Sequence, residues 1–270
     1  MSAKYELIEQ YLHAFLKQEV TKTGLENVVI GLSGGIDSAV VAVLAQAVFG
    51  DKLLCVMLPS PYSSESSIKD AQILCEKFAI SYRIVSIEPF VNAYLKTTKN
   101  DSSSDLDLGN YCARARMNLL YDISSKQRAL VVGTSNKTEL LLGYGTIYGD
   151  LCSALNPIGD LYKTQIFEFA KYLGVNDEII TKKPSADLWS NKSDEDDLGY
   201  TYEQIDALLL EMIDHRQNMP YLLEHFDNEM VHSLKKRIFA NQFKRKMPII
   251  AKISNRSINH DFLYPRDIGL

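Results

Sequence analysis

A glycine- and serine-rich segment that contains one acid is the first candidate for chemistry. The sequence GLSGGIDS, residues 31–38, follows the apolar run NVVI. Gly34 and Gly35 can adopt positive φ and let backbone N–H groups approach an anion, and Ser33 and Ser38 add hydroxyl donors. A helix beginning here would add free N–H groups and a positive dipole end. The segment predicts a phosphate-binding loop, although it matches neither GxxxxGK[ST] nor GxGxxG.

Asp37 is the unusual residue of this loop, and the residues alone allow two interpretations of it. A carboxylate in the first turn of a helix complements the dipole and stabilises by ~0.3–1 kcal/mol. A carboxylate beside polyphosphate, however, is repulsive unless a cation lies between them. Mg²⁺ commonly binds one or two carboxylates together with phosphate oxygens. Both interpretations stay open at this point.

The elements that must position this loop alternate between strand and helix. Apolar runs predict four strands, and periodic segments between them predict helices, so we expect an α/β fold with a doubly wound parallel sheet and helices on both faces. The predicted strands are NVVIGLS, KLLCVMLPS, SYRIVSI and ALVVGTS. The loop then lies at the carboxyl edge of the sheet, where ligands bind in open α/β sheets. Beyond Pro157 the pattern is mostly helical, and we expect one domain over 1–270, with 251–270 as a loose tail.

Composition limits the class of protein. A net charge of −5 over 270 residues argues against a nucleic-acid partner. The longest apolar run, residues 39–49, is about half of a membrane span, so no membrane association is expected. The N-terminal segment is an acid-bearing amphipathic helix rather than a signal peptide, and four scattered cysteines favour reduced thiols. We expect a cytoplasmic protein.

Further motifs resemble one family. SGGIDS resembles the pyrophosphate loop of the ATP pyrophosphatases, a Rossmann-like fold whose members adenylate a substrate. Four later segments resemble the NAD synthetases in order and spacing: GNYCARARM, VVGTSNKTELLLGYGTIYGD, LNPIGDLYKTQIF and KPSADL. The resemblance covers Val28 to about Pro248 and is closest to the short, ammonia-dependent form. It implies a ligase that amidates deamido-NAD with ammonia and ATP through an NAD-adenylate, acting as a homodimer with deamido-NAD bound across the interface.

The resemblance also implies roles for individual residues. It places Mg²⁺ on Asp37 and Glu139, and it makes Lys163, Ser185 and Asp150 catalytic. Deamido-NAD is expected to contact Arg114 and Lys244. The implied ATP-binding residues are Gly31, Leu32, Ser33, Gly34, Gly35, Ile36, Asp37, Ser38, Thr134, Lys163 and Ser185.

Several of these residues also have a purely structural interpretation. Asn136 and Glu139 fit an N-terminal capping box, which is compatible with metal binding because the helix end faces the same sheet edge. Lys163 begins a helix, where it opposes the dipole unless a phosphate is bound, and otherwise it is an exposed surface lysine. Thr134 is otherwise a strand-end hydroxyl, and Ser185 a turn serine after a proline.

The substrate residues are the least certain part of the pattern. Without the resemblance, Arg114 is an exposed helical charge and Asp150 a turn residue. Where many bacterial relatives have lysine, aspartate and histidine, this chain has Ile147, Ala154 and Phe243. These departures affect the pocket for deamido-NAD rather than the ATP chemistry.

Two alternative functions remain open, and so does the structure of one acidic segment. Another adenylating ATP pyrophosphatase, GMP synthetase-like or tRNA-thiolating, shares the loop, and a nucleotide-binding module without catalysis belongs to a different class. The four consecutive acids at 194–197 are either a solvated loop or part of a lid that orders over ATP.

Overall fold

A four-stranded parallel sheet forms the centre of the computed structural model, which describes residues 2–98, 104–183, 193–246, 248–255 and 257. The strands are β1 (Asn27–Gly31), β2 (Leu53–Met57), β3 (Tyr82–Ile84) and β4 (Ala129–Val132). Their order in the sheet is β3-β2-β1-β4, and all three pairings are parallel. Each observed strand lies within one of the four predicted apolar runs.

Helices connect and cover the strands. In chain order they are α1 (Ser2–Thr21), α2 (Ile36–Phe49), α3 (Glu65–Lys77), α4 (Glu88–Thr97), α5 (Asp105–Gln127), α6 (Lys137–Leu142), α7 (Lys163–Leu173), α8 (Asp177–Thr181), α9 (Asp194–Leu198), α10 (Tyr202–Leu209), α11 (Met219–His225) and α12 (Asn228–Ala240). Helix α10 continues as a π-helical turn, Leu210–Asp214. No helix among the described ranges is both long and apolar enough to cross a bilayer.

Both faces of the sheet are buried, which confirms the doubly wound prediction. Val28 and Ile30 of β1 belong to the apolar core shared with α1, α2 and α7. Val29, the residue between them, belongs to a separate core with residues of α4 and α5. Alternate side chains of one strand thus enter different cores, as expected for a strand covered on both faces.

The strand order creates a crevice at one place on the carboxyl edge. From β1 the chain proceeds to β2 on one side of it, and later to β4 on its other side. Such a reversal opens a crevice between the loops that follow the two strands, and ligands bind there. The loop after β1 carries Asp37, and the segment after β4 carries Thr134 and Glu139.

A third apolar core lies among the C-terminal helices. Side chains of α10, α11 and α12, among them Leu208, Leu222 and Val231, pack with Leu142 of α6 and Tyr162, which precedes α7. This helical layer therefore supports α6 and the start of α7, which border the crevice. Most of the expected tail, 258–270, lies outside the described residues.

Candidate active site

The loop after β1 has the predicted positive φ at Gly34 but not at Gly35. Gly34 has φ +80°, and a Cβ there would lie 2.1 Å from the carbonyl oxygen of Ser67, so only glycine fits. Gly35 instead has φ −90° and is the N-cap of α2, so the expected positive φ is absent there. Ser38 Oγ donates to Gly35 O at 3.0 Å, and Ser33 N donates to Ser38 Oγ at 3.2 Å. These contacts fix the loop in a tight turn at the start of α2.

Lys163 is the centre of the site. Its ammonium contacts Asp37 Oδ2 and lies 3.6 Å from Glu139 Oε1. The residue is only 2% exposed, so the interpretation as an exposed surface lysine is wrong. A lysine buried this deeply needs opposite charges nearby, and the two carboxylates supply them.

The helix start of α6 brings Glu139 to Asp37. Asn136 and Glu139 form the expected capping box: Glu139 N donates to Asn136 Oδ1 at 2.9 Å, and Asn136 N donates to Glu139 Oε2 at 3.2 Å. The amide of Asn136 also donates to Asp37 Oδ1 at 2.9 Å. The cap thus uses one oxygen of Glu139, while Oε1 faces the ammonium of Lys163. Capping of α6 therefore leaves one carboxylate oxygen of Glu139 free to act in the site.

The charged groups around Lys163 shift one another's pKa values. Burial first and the charge of Asp37 second raise the pKa of Glu139, Lys163 opposes them, and the resulting pKa is about 8. Burial alone would lower the pKa of Lys163, but Asp37 and Glu139 outweigh it and raise that pKa. The arrangement is therefore one cation shared by two carboxylates that repel each other.

A buried aspartate links the helices that carry Glu139 and Lys163. Asp206 of α10 accepts the hydroxyl of Thr138 at 2.5 Å and the backbone N–H of Thr164 at 2.8 Å. Thr138 Oγ1 in turn accepts the backbone N–H of Lys163 at 3.0 Å. Asp206 and Thr138 therefore each satisfy one free N–H group at the start of α7, and their contact fixes α6 against that helix.

Asp194 is the other buried acid that sequence reasoning missed. The run of acids at 194–197 forms α9, and Asp194 is 6% exposed, so the solvated-loop interpretation is wrong for this residue. It accepts hydroxyls from Tyr144 at 3.0 Å and Tyr202 at 3.2 Å. Burial raises the pKa of Asp194, whereas Lys163 and the two hydroxyls oppose that shift. The sequence signal was faint: Ser193 before the run is an N-cap, which favours a helix over a loop.

A cavity of about 930 Å³ opens beside Lys163, a volume suited to a nucleotide-sized ligand. The whole loop from Gly31 to Ser38 lines it, and so do Thr134, Glu139 and Asp150. Lys244 also lines it and donates to the carbonyls of Gly143 at 2.8 Å and Gly145 at 2.9 Å. The structure thus brings most of the predicted site residues together.

One predicted site residue, Arg114, does not line this cavity. Arg114 is exposed, and its Nε donates to the carbonyl of Ile147 at 3.3 Å. Arg116, two positions along α5, lines the cavity and donates to Leu58 O at 2.9 Å and to Ser63 Oγ at 3.2 Å. Ser185 lies outside the described residues.

Asp37 and Glu139 fit a divalent cation. Their carboxylates already converge on one cation, the ammonium of Lys163, at the end of a loop suited to phosphate. In the part of the chain that the structure describes, no three His, Cys, Asp or Glu residues form a metal cluster. A cation held by these two carboxylates would therefore need phosphate or water oxygens as further ligands, as Mg²⁺ commonly has.

Comparison with known proteins gives consistent matches along nearly the whole chain. The family model described as NAD synthase matches residues 8–248. An NH(3)-dependent NAD(+) synthetase of Chlorobium phaeobacteroides is 49% identical over 265 residues, which is 97% of this chain and 95% of that protein.

Solved structures agree in fold. NH3-dependent NAD synthetase from Campylobacter jejuni has a TM-score of 0.79 and 37% identity, covering 92% of this chain and 99% of its own. NMN synthetase from Francisella tularensis has a TM-score of 0.82 and 33% identity, covering 92% and 98%.

Proposed function

We infer the function from a premise that these similarities establish: the chain belongs to the NAD synthase family. It is a ligase that forms the C–N bond of NAD from deamido-NAD, ATP and ammonia. In the first step the nicotinate carboxylate attacks the α-phosphate of ATP, which gives an NAD-adenylate and pyrophosphate. In the second step ammonia attacks the activated carbonyl, which gives NAD and AMP.

The observation that carries this proposal is the ammonium of Lys163, buried beside a phosphate-type loop and shared by Asp37 and Glu139. The loop and the start of α2 offer N–H groups to the phosphates of ATP. Lys163 adds a positive charge in a site largely shielded from water. A positioned donor of this kind stabilises a transition state by ~3–4 kcal/mol, or roughly 10² to 10³ in rate. Ser185, on the segment before α9, is proposed to donate to the same phosphates.

Asp37 and Glu139 would hold Mg²⁺ when ATP is bound. The ion supplies Lewis-acid chemistry, neutralising charge on the leaving pyrophosphate. Asn136 positions both carboxylates, because its amide donates to Asp37 and its side-chain oxygen caps Glu139.

The remaining assignments concern the second substrate. We assign Asp150 to ammonia and Lys244 to deamido-NAD, since both line the cavity next to Lys163. Arg114 is exposed on α5, which suits a dinucleotide that lies between two subunits of a homodimer. The enzyme is proposed to work in the cytoplasm, where its cysteines remain reduced; all four are free thiols in the structure.

A second candidate is the corresponding amidation of nicotinate mononucleotide. It is favoured by the likeness to the NMN synthetase from Francisella tularensis, at a TM-score of 0.82. Ile147, Ala154 and Phe243 are consistent with it, because they replace polar residues expected in a deamido-NAD pocket.

One substrate panel tests both candidates. Purified protein with ATP, Mg²⁺ and ammonium receives deamido-NAD, nicotinate mononucleotide, XMP or citrulline in separate reactions, and pyrophosphate, AMP and the amide product are measured. With deamido-NAD we expect the wild type to form all three products. We expect Lys163→Met to form them at no more than about 1% of the wild-type rate. Equal rates when ammonia-free glutamine replaces ammonium would contradict ammonia as the direct nitrogen source. Higher kcat/KM with the mononucleotide would make the second candidate the function, and turnover of XMP or citrulline alone would overturn both.

A further inference from the structure

The ammonium of Lys163 also contacts an aromatic ring. Lys163 Nζ lies 5.3 Å from the centroid of the Tyr202 ring. That distance is within the range of a cation–π contact, and such contacts are stronger when the cation is removed from water. Both residues are 2% exposed. Tyr202 is therefore a third partner of the ammonium, in addition to the two carboxylates.

Asp194 fixes that ring in place. The hydroxyl of Tyr202 donates to Asp194 Oδ2 at 3.2 Å, and the hydroxyl of Tyr144 donates to the other oxygen at 3.0 Å. The backbone N–H of Tyr202 donates to Glu195 at 2.8 Å, so α9 holds both ends of the residue. A buried acid with a bonded oxygen on each side has little freedom to rotate.

Charge gives this arrangement a role in the reaction. Asp37 and Glu139 contact Lys163, and the charge of Asp194 also acts on it. Asp37 and Glu139 are the two acids that would hold Mg²⁺, so binding of the metal would weaken their contacts with Lys163 while the phosphates of ATP attract its ammonium. Asp194 is not a member of that pair: among the described residues no three acids form a metal cluster, and its two oxygens accept tyrosine hydroxyls.

We propose that Asp194 and Tyr202 are positioning residues for Lys163 in the adenylation step. Tyr202 supports the ammonium through its ring, and Asp194 orients that ring and provides negative charge that stays with Lys163 when ATP binds. This proposal rests on the proposed function, since it assigns the two residues to the first half of that reaction.

Four variants separate the parts of this network. Asp194→Asn keeps the shape and removes the charge, and Tyr202→Phe keeps the ring and removes the bond to Asp194. Tyr202→Leu removes the ring, and Glu203→Gln is the matched control, since Glu203 is an exposed acid next to Tyr202 on α10 and does not line the cavity. Pyrophosphate release is compared with conversion of preformed NAD-adenylate by ammonia.

We expect Asp194→Asn to lower kcat for pyrophosphate release about tenfold and to leave both conversion of the adenylate and KM for deamido-NAD within about twofold. The expected loss is about threefold for Tyr202→Phe and about thirtyfold for Tyr202→Leu. Glu203→Gln is expected to stay within about twofold of wild type.

A double-mutant cycle with Lys163 distinguishes positioning from a general role in the fold. In a Lys163→Met background, Asp194→Asn should lower the residual rate by less than about twofold, because the group it positions is absent. Additive losses, or equal losses in both half-reactions, overturn the proposal. If Asp194→Asn does not fold, Tyr202→Phe is put through the same cycle. A wild-type protein that releases no pyrophosphate with deamido-NAD contradicts the proposed function instead, so the two failures are distinguishable.

Discussion

At the scale of the residue, the site centres on one buried ammonium that contacts two partly buried carboxylates. Lys163 contacts Asp37 and Glu139 and is itself almost fully buried. Removing one partner of such a group leaves an uncompensated charge in a poorly solvated place, which is strongly unfavourable. The residues that the proposed function assigns to ATP and Mg²⁺ are therefore also expected to affect the stability of the protein without ATP.

Glu139 should make the stability of the metal-free protein depend on pH. Its pKa is raised from 4.5 to about 8, chiefly by burial. A carboxyl with a raised pKa binds more protons in the folded state, so its favourable contribution is complete below about 4.5 and is lost as pH rises through about 8. Between these limits we expect the wild type to lose up to a few kcal/mol relative to Glu139→Gln, which does not titrate.

Denaturant unfolding in the presence of a chelator, at several pH values, measures this difference. Wild type and Glu139→Gln should diverge as pH rises, and Mg²⁺ with ATP should reduce the divergence. Parallel stability curves for the two proteins would show that Glu139 titrates normally.

Residue types predicted the acids of the site better than its cation. The conflict between Asp37 and phosphate was visible in a short segment, because both belong to one loop. Lys163 contacts an acid 126 residues away, and no local pattern shows such a partner. Asp194 and Asp206 were missed for the same reason: burial by distant tyrosine and threonine hydroxyls is a tertiary property.

At the scale of the element, short capped helices position the side chains of the candidate site. Helix α6 has six residues, too few for stability on its own, so its cap and its tertiary contacts must hold it. Asn136 caps this helix and also bonds to Asp37. The periods of the sequence predicted the strands and α2, α5 and α7 well, since their apolar faces enter large cores. Helix α9 was not predicted, because four successive acids carry no apolar period.

Two substitutions of Asn136 separate its contacts. Asn136→Ser keeps an oxygen for the cap and removes the amide donor to Asp37, whereas Asn136→Ala removes both. We expect Asn136→Ala to lower the free energy of unfolding by about 1 kcal/mol more than Asn136→Ser. Both should weaken Mg²⁺ activation, since both leave Asp37 without that donor. Denaturant unfolding and Mg²⁺ titration of the rate measure the two effects, and unchanged Mg²⁺ activation in Asn136→Ser would contradict the role assigned to the amide.

At the scale of the whole molecule, exposed apolar side chains occur on α5 and beside it. Phe90 of α4, Leu106 of α5 and Tyr148 are 42%, 59% and 60% exposed. Phe90 O accepts the hydroxyl of Tyr111 on α5, and the carbonyl before Tyr148 accepts from Arg114, the expected substrate residue on the same helix. A homodimer formed around α5 would cover apolar groups and bring Arg114 to a shared substrate site.

Phe90→Glu tests this arrangement, because Phe90 is exposed and does not line the cavity. A charge buried in an apolar interface has no partner, so we expect the mass measured by light scattering to fall from twice 30.5 kDa to 30.5 kDa. We also expect kcat/KM for deamido-NAD to fall about tenfold, with the free energy of unfolding little changed. Ile73→Glu on α3 is the control, because Ile73 is an exposed apolar residue on another helix. A monomeric wild type, or a dimeric and fully active Phe90→Glu variant, would contradict the interface.

The central claim is that Asp37 belongs to the phosphate loop because it holds a cation for adenylation. The most direct measurement compares Asp37→Asn with wild type in two reactions, the full synthesis from deamido-NAD and the conversion of preformed NAD-adenylate by ammonia. The substitution keeps the shape of the side chain and removes its charge. Each ~1.4 kcal/mol of lost stabilisation is tenfold in rate. We predict a loss of at least about 10²-fold in the full reaction with a shifted Mg²⁺ dependence, and less than about threefold with the adenylate. Equal losses in both reactions, or an unchanged Mg²⁺ dependence, would contradict the claim and leave Asp37 as an acid that only complements the dipole of α2.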